Sequence, residues 1–132
     1  MAAIVVVAAN KLLDASLGTT ALTAFSGAAK LRLTTTAPTN SAAGTELTGT
    51  GYTTGGSTVA FSAASSGSTS NSGALSWTNG SGGTWSIVGL EIWDSAGTPL
   101  RWWFGNFTGQ PISVANGNIF QIAAGALTVA LS

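Results

Sequence analysis

The chain contains no histidine and no cysteine among its 132 residues, and only four acidic and four basic side chains. Without histidine there is no imidazole base for a serine nucleophile and no nitrogen ligand for the usual zinc sites. Without cysteine there is no thiolate nucleophile, thiolate metal site or disulfide. No cofactor or metal is expected. Charged residues make up 6% of the chain, against about 25% in ordinary soluble domains, so Ser, Thr, Asn and Gly must cover most of the surface. With a formal net charge of zero, little repulsion keeps copies apart, and association is expected. The cations Lys11, Lys30, Arg32 and Arg101 are too few to neutralise a run of phosphates, which argues against nucleic acid as a partner. The opening apolar run, residues 2–9, lacks the basic residues that precede a signal peptide's hydrophobic stretch. Lys11 and Asp14 close it too early for a membrane span. It is expected to form a buried first strand or arm over residues 1–9, with neither a membrane nor a secretion signal in view.

What is present reads as one small β domain covering residues 1–132. Leu12, Leu13 and Leu17 fall at helical spacing and Gly18 stands where a helix would stop, so one short helix is expected over residues 10–17. In residues 28–36, Leu31 and Leu33 alternate with Lys30 and Arg32 as a half-buried strand requires, and Pro38 ends it. Residues 39–56 are expected to be a long surface loop anchored by Leu47 and Tyr52. A strand over residues 57–62 should present Val59 and Phe61 on one face, followed by a polar connection at 65–73. Leu75 and Trp77 alternate ahead of an Asn-Gly-Ser-Gly-Gly turn at 79–83, a hairpin signal leading into a strand at 84–93. Side chains of that strand change parity, which points to a bulge near Gly89. A turn at 94–99 leads to a strand over 100–107, and two last strands, 118–123 and 126–131, flank a turn at Ala124-Gly125. The expected fold is all-β, an antiparallel sandwich or barrel of jelly-roll or Ig-like kind with one short N-terminal helix.

Candidate chemistry is sparse. The carboxylates are Asp14, Glu46, Glu91 and Asp94. Glu91 and Asp94 make a weak acid/base pair; the structural alternative has Asp94 starting a turn and Glu91 pairing with Arg101 across the hairpin. No glycine-rich loop carries the lysine and hydroxyl that a phosphate cradle needs. Trp102 and Trp103 are adjacent on a strand and must point to opposite faces. One of them therefore meets an interface, or lies beneath a loop or the N-terminal helix.

Several segments in order, Ala9-Asn-Lys-Leu-Leu-Asp-Ala-Ser-Leu-Gly, Leu31-Arg-Leu-Thr-Thr-Thr-Ala-Pro, Gly44-Thr-Glu-Leu, Val88-Gly-Leu-Glu-Ile-Trp-Asp, Leu100-Arg-Trp-Trp-Phe-Gly and Ala124-Gly-Ala-Leu-Thr-Val, resemble a family of small bacteriophage virion proteins. Members are described as minor tail, tail-fibre-like or capsid-associated proteins. The chain departs from the family pattern at Ile87-Val88, where an aromatic or histidine is common, and at Gly117-Asn-Ile. The resemblance implies a non-enzymatic component of the phage particle, made in the host cytoplasm and homo-oligomeric, with a trimer as one form. The absence of heptads and collagen-like repeats favours a compact capsid decoration or minor capsid protein bound to the major capsid protein. The alternative is a minor tail or tail-fibre-like protein bound to tail proteins, with an exposed tryptophan free to stack on host glycan. Interface candidates are Ile4, Val5, Val6, Val7, Trp93, Trp102, Trp103 and Phe104.

Overall fold

A computed structural model describes residues 2–21 and 25–131. Its elements are β1 (Ala3–Ile4), α1 (Val6–Ser16), β2 (Lys30–Thr34), β3 (Ser57–Thr58), β4 (Ser68–Ser70), β5 (Leu75–Thr78), β6 (Trp85–Ile87), β7 (Gly89–Trp93), β8 (Arg101–Asn106), β9 (Ile112–Val114), β10 (Ile119–Ile122) and β11 (Thr128–Ala130). All strand pairs are antiparallel, so the fold is the expected all-β one with a single short helix. The largest sheet has the order β1-β8-β7-β2-β3, and three two-stranded ribbons, β10-β5, β11-β4 and β6-β9, pack around it.

The alternation in β2 sets the face of that sheet. Leu31 and Leu33 are fully buried and stand opposite Ile92 and Leu90 of β7, while Lys30 and Arg32 stay half-buried on the other side. The ribbons deliver Trp77, Trp85, Val114, Phe120, Ile122 and Val129 to the same core. Within it Trp77 stacks on Phe120 at 5.8 Å and Phe107 meets Phe120 edge-on at 5.6 Å, favourable geometries for aromatic pairs. Leu47 and Tyr52 anchor the long loop in this core, as expected.

Five sequence expectations are corrected. Only Ala3–Ile4 of the opening run is strand, paired with Phe104 and Trp103, and the helix starts at Val6 rather than residue 10. Val5 N–H to Trp102 O (2.9 Å) is the last bond of this pairing, and beyond it the first turn of the helix is held by Val6 N–H to Asn40 O (3.1 Å). The strand at 57–62 is reduced to Ser57–Thr58, although Val59 remains buried. The polar connection at 65–73 contains β4, which pairs with β11. The 79–83 turn does not close a hairpin: β5 pairs with β10 and β6 with β9, so the strands on either side of the turn join different ribbons. The last two strands, which flank Ala124-Gly125, pair with β5 and β4.

The strand at 84–93 is broken at Val88, where it passes from the β6-β9 ribbon into the large sheet. Val88 keeps both backbone bonds, donating to Thr34 O (2.8 Å) and accepting from Phe107 N (3.0 Å). Gly89 follows because a Cβ there would lie 2.6 Å from Gly105 O and 2.8 Å from Pro38 Cδ.

Candidate functional site

The carboxylates are the groups with most reactive potential in this composition. Glu91 is 2% exposed. Its Oε1 accepts from Arg101 Nη1 (3.0 Å) and Gly44 N (2.9 Å), and its Oε2 accepts from Trp93 Nε1 (2.9 Å). Arg101 Nη1 also donates to Ala42 O (2.9 Å), so the pair expected across the β7-β8 hairpin clamps the 39–46 loop onto the sheet. Asp94 Oδ1 accepts from Leu100 N (2.8 Å) and Ala96 N (3.3 Å), closing the turn, and Oδ2 accepts from Trp102 Nε1 (3.1 Å). Burial alone would raise the Asp94 carboxyl, but the hydrogen bonds from Leu100, Trp102 and Ala96 outweigh it and hold the pKa below the ordinary aspartate value. Glu46 accepts from the Tyr52 hydroxyl and from Gly55 N, both at 2.8 Å.

These three carboxylates are thus occupied in fixing loops and turns. Among the described residues no three metal-ligating side chains of the His, Cys, Asp and Glu set gather. A depression of about 430 Å³ lies between Phe107, Phe120 and Leu127 and has no titratable lining residue. No helix of the described residues is long and apolar enough to cross a membrane.

Apolar surface is where the molecule is unusual. Val6 (43% exposed), Val7, Leu13, Leu17 (74%) and Leu131 all project from α1 or from the strand end beside it. A groove of about 300 Å³ between Ile4, Leu12, Leu13 and Leu131 adjoins them. Of the interface candidates, Val6 and Val7 belong to this patch and Ile4 lines its groove. Val5 and Trp102 instead form a second, small core with Ala8, where the Trp102 ring meets Phe25 at 5.4 Å. Trp103 points the other way and packs half-buried against the main core, so the helix covers one ring of the pair and the sheet interior holds the other. Trp93 and Phe104 are half-buried beside the charged clamp, with Arg32 over the Trp93 ring at 4.1 Å and Arg101 near the Phe104 ring at 5.8 Å.

Sequence reasoning missed Leu13, Leu17 and Leu131 as surface residues. For the two on the helix the signal was available: at 100° per residue, Val6, Leu13 and Leu17 lie on one side and Ala8, Leu12 and Ala15 on the other.

No curated protein matches the chain. With residues 3–130 matched by the family model described as podophage GP4 fiber I protein gp80, nearly the whole chain belongs to that family, and the protein is a small bacteriophage virion protein.

Proposed function

We propose that the protein is a non-enzymatic structural component of a phage tail fibre, working through contacts with neighbouring virion proteins. The observation that carries this is the family match over residues 3–130, whose description names a fibre protein. It favours the fibre reading over the capsid decoration suggested by the lack of heptads. The chemistry agrees: the chain lacks histidine and cysteine, and Glu46, Glu91 and Asp94 are all engaged in holding backbone. The contact surface is the apolar patch of α1, because large exposed hydrophobic side chains rimmed by polar residues mark association sites. Stacking on glycan through tryptophan has less support, since Trp102 is buried and Arg32 covers one side of Trp93.

Gold-labelled antibody against the chain, applied to intact particles in the electron microscope, tests the assignment. Gold on the tail is the expected result. Gold distributed over the shell would instead restore the decoration reading.

A further inference from the structure

We infer that the folded chain carries a site of spontaneous covalent modification at Asn116, whose side-chain amide is converted to a carboxylate by attack of the next residue's backbone nitrogen. The other Asn-Gly pair, Asn79-Gly80, is locked against the same reaction. Asn-Gly occurs at 79–80 and at 116–117. In such a pair the glycine has no Cβ to hinder the approach of its nitrogen to the asparagine Cγ. The step needs water alone. Solvent hydroxide takes the proton of Gly117 N, the nitrogen bonds to Asn116 Cγ, and the Cγ–Nδ2 bond breaks, Nδ2 leaving as ammonia with a proton from water. Water then opens the cyclic imide at one or other carbonyl, giving aspartate or isoaspartate and a new negative charge.

The two pairs sit in opposite surroundings. Asn79 is fully buried, with Nδ2 donating to Gly83 O (2.8 Å) and Val114 O (2.7 Å) and Oδ1 accepting from Ser81 N (2.9 Å) and Ser81 Oγ (2.7 Å). The nitrogen that would attack it, Gly80 N, donates to Thr50 O (3.0 Å), and a Cβ at Gly80 would lie 3.3 Å from Thr50 Cγ2. Rotating this side chain onto the peptide would strand all of those groups in the interior, so it waits until the ribbons separate. Asn116 is exposed, on the turn between β9 and β10. Its Oδ1 accepts from Gly82 N (2.9 Å), and among the described residues its Nδ2, the leaving group, has no partner. A Cβ at Gly117 would meet nothing within 4 Å. What delays the reaction is the turn itself. Gly117, at φ +85°, stands third in a turn closed by Asn118 N–H to Ala115 O (3.0 Å), and its own N–H donates to Asn79 O (2.6 Å). An exposed turn opens locally at a lower free energy than the ribbons come apart, so Asn116 converts from the folded state and Asn79 only through unfolding.

Tandem mass spectrometry of the full chain, stored folded in mildly alkaline buffer and then unfolded and digested, tests this. Trypsin separates the two pairs: cuts after Arg32 and Arg101 put Asn79 in residues 33–101 and Asn116 in residues 102–132. In the folded protein, conversion at Asn116 should outpace conversion at Asn79 by at least about tenfold. Stored in urea, the two pairs should convert at similar rates, since the protection of Asn79 belongs to the fold. Asn116→Gln, an exposed change whose longer side chain closes a larger and less favourable ring, should remove the fast conversion from residues 102–132 and leave the circular dichroism unchanged. An Asn116 that converts no faster than Asn79 in the folded chain overturns the inference. So does fast conversion of residues 102–132 that persists in Asn116→Gln, or an Asn79 that stays protected in urea.

Discussion

Tyr52 is the only tyrosine of the chain, and its hydroxyl is held between two partners, donating to Glu46 and accepting from Leu33 N (3.3 Å). Burial raises its pKa far above the usual phenol value near 10, and the adjacent Glu46 carboxylate raises it further, since both disfavour a phenolate. The sign follows from linkage. A group whose folded pKa is raised contributes stability that is fully present below its unfolded pKa and is lost as pH rises beyond it. The 295 nm absorbance of phenolate should therefore stay flat through pH 10 and rise only with unfolding followed by far-ultraviolet dichroism. A phenolate transition centred near pH 10 in the folded protein would show that the hydroxyl is open to water. The Glu91–Arg101 pair follows a related logic at the same scale. Each member satisfies the other and also holds the 39–46 loop, so removing either one would leave a buried charge, a cost of about 3–5 kcal/mol.

At the level of elements, two buried asparagines set the topology that turn chemistry alone left open. Asn79 is fully buried and donates through Nδ2 to Val114 O (2.7 Å) and Gly83 O (2.8 Å), while its Oδ1 accepts from Ser81 N (2.9 Å). It ties the β5-β10 ribbon to the end of β9. Asn71 does the same for the other end, donating to Ala123 O (3.0 Å) and accepting from Leu127 N (2.8 Å). Asn79→Ala strands several buried backbone groups at about 1–3 kcal/mol each, so a loss of about 2–4 kcal/mol is expected in urea, with the midpoint falling and the slope unchanged. A loss below about 0.5 kcal/mol would mean that Asn79 does not join the ribbons. These contacts explain which parts of the fold were legible. The face of β2 and the β7-β8 hairpin could be read because alternation and a short Asp-led turn are local signals. The ribbons could not, because an Asn-Gly turn looks the same whether its flanking strands pair with each other or with segments far along the chain. Gly18 marked the end of α1 correctly: with φ at +70° it carries a Schellman arrangement, Thr19 N–H to Asp14 O and its own N–H to Ala15 O. The start was hidden because Val5 supplies no side-chain cap. The patch on α1 was half legible for a different reason: Leu12 and Leu13 are neighbours, and only the packing of Ala8 on Trp102 decides which of them turns outward.

Over the whole molecule, stability is distributed unevenly, and its sparse basic residues make that measurable. Trypsin has four sites, at Lys11, Lys30, Arg32 and Arg101. Lys30 and Arg32 lie in β2 and Arg101 in β8, both flanked by other strands of the large sheet, so cutting there requires the main core to open. Lys11 lies on α1, which is fastened by a core of only Val5, Ala8 and Trp102 with a few half-buried neighbours. A segment with so few buried contacts opens locally at a lower free energy than the sheet. Trypsin under native conditions should therefore cut first after Lys11, giving a persistent fragment that begins at Leu12, with Arg101 cut only at the rate of global unfolding. Ala8→Gly lowers helix propensity by about 1 kcal/mol and removes the methyl packed against Trp102, loosening α1 while leaving the main core intact, and should speed the first cut at least about fivefold with the later ones little changed. If all four sites instead disappear together, α1 unfolds only with the sheet, and the helix is an integral wall of the molecule rather than a separable contact element.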